Sequence, residues 1–158
     1  MKKYRIILGS DHAGFELKEF IKKELTSLGY EVEDHGAFKL DKDDDYPDFI
    51  VPVAEKVSTD IKRNRGIIFG GSGQGEAIAA NKVKGVRAGL YYGHNPEIVK
   101  LSRTHNNCNV LSLGARFISR DEALAAVKLW LETDFSGEKR HERRIGKISK
   151  TEIKDAVY

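Results

Sequence analysis

The chain is poor in the residues that staple small folds. Cys108 is the only cysteine among 158 residues, so no internal disulfide can form and a CxxC metal or redox motif is excluded. A reducing compartment fits this usage. No run of about 18 apolar residues exists to cross a membrane, and the first apolar stretch, Tyr4-Arg5-Ile6-Ile7-Leu8, gives way to Ser10-Asp11-His12 too soon for a signal peptide. The expectation is a soluble, cytoplasmic protein. Prolines number three, at Pro47, Pro52 and Pro96, so long helices meet few breaks. Net charge is also scarce: the formal total is +3, which argues against a nucleic-acid-binding protein. The charge is uneven, however, with an acidic run at residues 41–45 and a basic run at residues 139–144.

What is present is alternation. Residues 4–9 read as a buried strand, and Leu17, Phe20, Ile21, Leu25 and Leu28 then recur at helical spacing up to the stop signal of Gly29. Residues 30–33 form a short second strand. A second helix carries Phe49, Ile50, Val53, Ala54, Val57 and Ile61, with Pro47 and Pro52 expected near its first turn. Strand 66–69 leads through glycines into a helix from about Glu76, and residues 86–91 make a fourth strand. Asn95-Pro96-Glu97 reads as an N-cap, a first-position proline and an early acid, starting a helix that runs to about His105. Residues 110–113 form a fifth strand, and Ser119 to Glu122 has capping-box spacing before residues 123–131.

Five strand–helix units predict an α/β domain, a doubly wound five-stranded parallel sheet with helices on both faces. Residues 1–136 form this core within a single 1–158 domain. Residues 137–158 are left over as a charged helical tail whose Ile145, Ile148 and Ile153 suit packing on a neighbouring subunit.

In such a sheet, ligands sit beyond the carboxyl ends of the strands. The richest of these ends is Gly70-Gly71-Ser72-Gly73-Gln74-Gly75-Glu76. A dinucleotide GxGxxG fails because Glu76 stands where the third glycine belongs, and a P-loop fails because Glu76 and Ala77 replace the lysine and hydroxyl residue. Both failures argue against a flavodoxin-like nucleotide-binding module. What remains is a backbone able to approach a ligand closely and to favour negative charge. Glu76 beside such amides suits removal of a proton next to a carbonyl, with the helix dipole holding it ionised. As a bland first-turn acid it would need no further role.

That chemistry asks for companions. Opening a sugar ring needs a proton donor and an acceptor, for which Asp11, His12 and His105 are available. Asp11 is equally suited to capping the first helix, and His105 to facing a helix end. A phosphate calls for cations such as Arg116 and the pair Arg140 and Arg144, four residues apart, all of which otherwise read as surface charge. Cys108 reads as a packed residue without a role. Tyr46 is either a loop anchor or a lining of the site.

Together these motifs resemble ribose-5-phosphate isomerase type B, with its galactose-6-phosphate isomerase relatives. The likeness is carried by Gly9-Ser10-Asp11-His12-Ala13-Gly14, Asp44-Asp45-Tyr46-Pro47, the glycine loop with Ala79-Ala80-Asn81-Lys82, Ser102-Arg103-Thr104-His105-Asn106-Asn107, Gly114-Ala115-Arg116 and Arg140-His141-Glu142-Arg143-Arg144. The resemblance implies a Rossmann-like α/β/α sandwich and an aldose–ketose isomerase of the pentose phosphate pathway, interconverting ribose 5-phosphate and ribulose 5-phosphate through an enediolate, without metal or cofactor. It implies a homodimer, or a dimer of dimers, whose sites draw on both subunits. Some members have a cysteine base at the first loop glycine, here Gly70; another branch has the glutamate found here as Glu76. By position, Glu76 moves the proton, His105 opens the ring with Asp11, and Gly71, Ser72, Gly73, Gln74 and Gly75 hold the enediolate. Asp11, His12 and Asn106 contact the sugar, and Arg116, Arg140 and Arg144 hold its phosphate. Relatives acting on galactose 6-phosphate, allose 6-phosphate or a tetrose phosphate share the loop, so these substrates stand as alternatives.

Overall fold

The computed structural model describes residues 3–154. Five parallel strands stand in the order β2-β1-β3-β5-β4. They are β1 (Arg5–Ser10), β2 (Glu31–Asp34), β3 (Asn64–Gly70), β4 (Ala88–Tyr91) and β5 (Val110–Gly114). Between and after them run α1 (Phe15–Ser27), α2 (Pro47–Thr59), α3 (Gln74–Ala80), α4 (Glu97–Thr104), α5 (Arg120–Glu132) and α6 (Lys139–Lys154). The expected alternation is therefore present, and residues 155–158 of the tail lie outside the described residues.

Strand residues point alternately to two cores, because the side-chain period of a strand is two. Ile6, Leu8, Ile67, Phe69, Leu111 and Leu113 join Leu17, Ile21 and Leu25 of α1 and Val127 and Trp130 of α5. Ile7, Ile68 and Val110 join Ile50, Val53 and Val57 of α2 and Ala80 of α3 on the opposite face. Burial on both faces is why these strands read as continuous apolar runs.

Several local details differ from the sequence reading. Pro52 lies inside α2, beyond its first turn. Its missing N–H would have bonded to the carbonyl of Asp48. Ile61 falls beyond the end of that helix, and β4 begins at Ala88. Pro96 occupies the N-cap of α4 rather than the first helical position, while Asn95 Oδ1 still accepts from the Glu97 N–H at 3.0 Å. The capping box of α5 is formed, with Glu122 N–H donating to Ser119 Oγ and Ser119 N–H to Glu122 Oε2, both at 3.1 Å.

Helix α6 leans on the β4 side of the sheet, where Glu152 Oε1 accepts from the Gly85 N–H at 3.0 Å. It leaves Ile148 and Ile153 exposed. Ile148 lines an open cavity of about 520 Å³ together with Ile98, Leu101 and Ser102 of α4.

Candidate active site

β1 and β3 are neighbours whose chains depart in different directions, and this opens a crevice at their carboxyl ends. Ser10 pairs in register with Phe69, so the loops after residues 10 and 70 begin side by side. Gly14, at the start of α1, is pressed against Phe69: a Cβ there would fall on the Phe69 backbone. That close approach brings the first loop against the glycine loop.

The glycine loop is held at both ends and open in the middle. Ala115 N–H donates to Gly70 O at 2.8 Å, Arg116 N–H to Gly71 O at 3.0 Å, and Ser112 Oγ to Gly73 O at 2.6 Å. Gly73 has φ of +77°, and a Cβ there would lie 2.8 Å from Leu90 Cδ1, so only glycine suits the turn. Ser72 Oγ accepts from Gln74 N–H at 3.3 Å. Among the described residues, the N–H groups of Gly71, Ser72 and Gly73 donate to no protein acceptor. Three such amides beside the start of α3 form a cradle for an oxyanion. Gln74 itself is exposed, whereas Gly75 is covered by Tyr46: a Cβ at Gly75 would lie 2.8 Å from the Tyr46 hydroxyl oxygen. Tyr46 therefore lines the loop.

Glu76 is 4% exposed, and its carboxylate lies where a side chain on residue 70 would stand. Burial pushes its pKa up, against the pull of its own N–H, and the charge of Asp11 adds to the rise. Burial thus works against the helix start, and the carboxyl is moved above the ordinary glutamate range. A general base gains from that direction.

Asp11 is buried, and its Oδ1 accepts from the Gly14 N–H at 3.1 Å. It thus shapes the turn before α1 and faces Glu76 electrostatically. His12 is bound by Asp44, a residue of the Asp44-Asp45-Tyr46-Pro47 motif to which sequence reasoning gave no role of its own. Asp44 Oδ1 takes the His12 N–H at 3.1 Å and lies 2.7 Å from His12 Nδ1. The Asp44 bond raises the His12 pKa, and the other Asp44 oxygen is buried with no hydrogen-bond partner. Asp11, His12 and Asp44 offer ligand atoms within 4.8 Å of one another, the one such metal-sized group among the described residues. Two of its three atoms are already engaged with each other. Arg116, exposed, lays its guanidinium over Gly71, where a Cβ would lie 3.2 Å from Nη1.

The remaining residues form a second group at the end of α4. The rings of His105 and His141 stack with centroids 4.2 Å apart and an interplanar angle of 16°. His141 is buried; burial, then the neighbouring His105, lower its pKa. Sequence reasoning gave His141 no role. Asn106 is exposed and borders the cavity beside α6. Arg140 and Arg144 are exposed, Arg140 bonding Glu138 at 2.8 Å. Among the described residues, no hydrogen bond, ion pair or ring contact joins His105, Asn106, Arg140 or Arg144 to Glu76 or Asp11.

Residues 6–148 match the family model described as Ribose/Galactose Isomerase. The chain belongs to the ribose/galactose isomerase family. Within it, the ribose-5-phosphate isomerase B of Mycolicibacterium paratuberculosis is 45% identical over 94% of this chain and 91% of its own length. The fold superposes on ribose-5-phosphate isomerase B of Mycoplasma genitalium, solved with bound ribulose 5-phosphate, with a TM-score of 0.91, 40% identity and coverage of 96% and 98% of the two chains. The Clostridium thermocellum enzyme gives a TM-score of 0.89 at 44% identity, covering 95% of this chain and 98% of that one. Family membership accounts for the five-stranded parallel sheet with its extra C-terminal helix.

Proposed function

We infer that the chain is a ribose-5-phosphate isomerase of type B, interconverting ribose 5-phosphate and ribulose 5-phosphate. The observation that carries this reading is the buried Glu76 carboxylate set over Gly70 at the mouth of three unpaired amides. With the open-chain aldose bound, Glu76 removes the C2 proton and the electron pair moves toward C1, so the carbonyl oxygen becomes an enediolate oxygen. The amides of Gly71, Ser72 and Gly73 hold that charge. A proton passes from the C2 hydroxyl to the C1 oxygen, which moves the charge to the C2 oxygen; Glu76 then returns its proton to C1, and that charge collapses to the ketone. No cofactor is consumed, because oxidation at C2 balances reduction at C1.

Ring opening needs an acid and a base, and His105 with Asp11 supplies them. His12, oriented by Asp44, and Asn106 contact the sugar hydroxyls. Arg116, Arg140 and Arg144 clamp the phosphate. That no contact among the described residues joins the His105 and Glu76 groups within one chain supports a homodimer in which the tail arginines of one protomer complete its partner's site. The exposed Ile148 face of α6 supports the same arrangement. Turnover assayed across ribose, allose and galactose phosphates and a tetrose phosphate tests the reading. The largest kcat/KM is expected for ribose 5-phosphate, and a hexose or tetrose preference would overturn the substrate assignment.

A further inference from the structure

We propose that the amino-terminal edge of the sheet, opposite the active site, carries a second anion-binding site for a small phosphate-bearing ligand. The site is an open cavity of about 590 Å³, a volume within the usual range for small-molecule pockets. Lys3, Lys62, Arg65, Arg87 and Arg103 line it, against the single carboxylate of Asp134. Arg65 is the second residue of β3 and Gly70 the last, which sets the two sites about 16 Å apart along the strand.

The cations are built in rather than scattered. Arg65 and Arg103 are 5% and 2% exposed, burial that charged side chains reach only when partnered. Among the described residues, none of Lys62, Arg65, Arg87 and Arg103 has a carboxylate within ion-pair distance, and Asp134 is taken by the exposed Lys3 at 2.6 Å. The guanidinium groups rely instead on neutral partners, backbone carbonyls and the Tyr4 side chain among them. Arg65 Nη1 donates to Ile61 O and Asn64 O at 2.9 and 2.8 Å, and Arg103 Nη1 donates to Cys108 O at 2.5 Å. Arg65 Nε is buried with no acceptor at all. Guanidinium groups that line a cavity without a carboxylate of their own attract a planar or tetrahedral oxyanion, whose geometry matches their donors.

Tyr4 reports the same field. It lies in the cavity wall with the Arg65 guanidinium 4.1 Å from its ring centroid. Burial pushes its phenol up, yet Lys3, Arg65 and Arg103 together bring the net shift down. The site also touches the active-site turn from beneath. Arg87 Nε donates to Asn106 O and Asn107 O at 3.1 Å, and Arg103 Nη1 donates to Asn107 Oδ1 at 2.9 Å.

Inorganic phosphate is the probe, and the Arg116→Ala/Arg140→Ala/Arg144→Ala variant removes the clamp of the proposed active site. Titrating it while recording backbone amide spectra is expected to shift Arg65, Arg87 and Asn107. Adding Lys3→Gln and Lys62→Gln, both exposed and tolerant of change, is expected to weaken this residual binding about tenfold. Arg65→Met, with folding checked in the same spectra, is expected to abolish it. Absence of residual binding, shifts confined to the loops after β1, β3 and β5, or equal affinity in the lysine variant would each overturn the second site. None of these outcomes touches the isomerase reading, which turnover of the unmodified chain judges separately.

Discussion

The carboxylate of Glu76 fills the space that a side chain on Gly70 would occupy. Residue 70 must therefore stay bare for the base to reach its place, and the two positions act as one unit. Gly70→Ala is expected to push Glu76 aside while β3, paired on both edges, holds its place. A kcat loss of about 10²-fold or more is expected, matching removal of a well-placed general base. Melting temperature and kcat measured on the same preparation check this; full turnover in the folded variant would show that Glu76 works from elsewhere.

Glu76→Gln is expected to lower kcat by about 10²–10⁴-fold while leaving KM within a few-fold, because only proton transfer is lost. The sign of its stability effect is also fixed. Burial raises the carboxyl pKa in the folded state, so between the unfolded and folded values the native chain holds more protons than the unfolded one. Stability then falls as pH rises through that window. Denaturant melts above it should find the glutamine variant more stable than the parent at the same pH, and a pH-rate profile should place the parent's acid limb above the ordinary glutamate range near 4.3.

The framework of this site is readable in the chain order because its signals are local. Ser119 and Glu122 meet across one turn, and the apolar run at residues 67–69 needs no partner to be identified as a buried strand. What the order of residues does not carry is contact across distance. Asp44 reaches His12 over a separation of 32 residues through an acidic loop without periodicity. His141 meets His105 only because α6 turns back along the β4 side. Glu76 shows a further limit: the helix start is visible in sequence, whereas the burial that raises its pKa depends on how β3, β5 and α2 close around α3.

The Asp44 bond predicts a titration. Since that hydrogen bond is the first cause raising the His12 pKa, Asp44→Asn should move the His12 ring titration downward, toward the ordinary value near 6.5. The raised folded value means that the pair's contribution to stability is present below the unfolded pKa and fades as pH climbs through the folded one. Imidazole proton shifts followed against pH in both proteins make the comparison, and an unmoved titration would mean that Asp44 only anchors the backbone of residue 12.

The proposed division of the site between subunits gives the sharpest prediction. Glu76→Gln destroys the base in its own half-site, and Arg140→Ala removes the phosphate clamp lent to the partner. Each homodimer alone is then nearly inactive at limiting substrate. When the two proteins are mixed in equal amounts and allowed to exchange, half the dimers are mixed, and each mixed dimer contains one site built from an intact Glu76 and an intact Arg140. About a quarter of all sites should recover. If Arg140 instead served its own chain, every site would keep one defect and mixing would add nothing. Kinetics on the exchanged mixture, with hybrid dimers verified by native mass spectrometry, separates the two arrangements, since recovery requires that Arg140 reach across to a Glu76 it does not share a chain with.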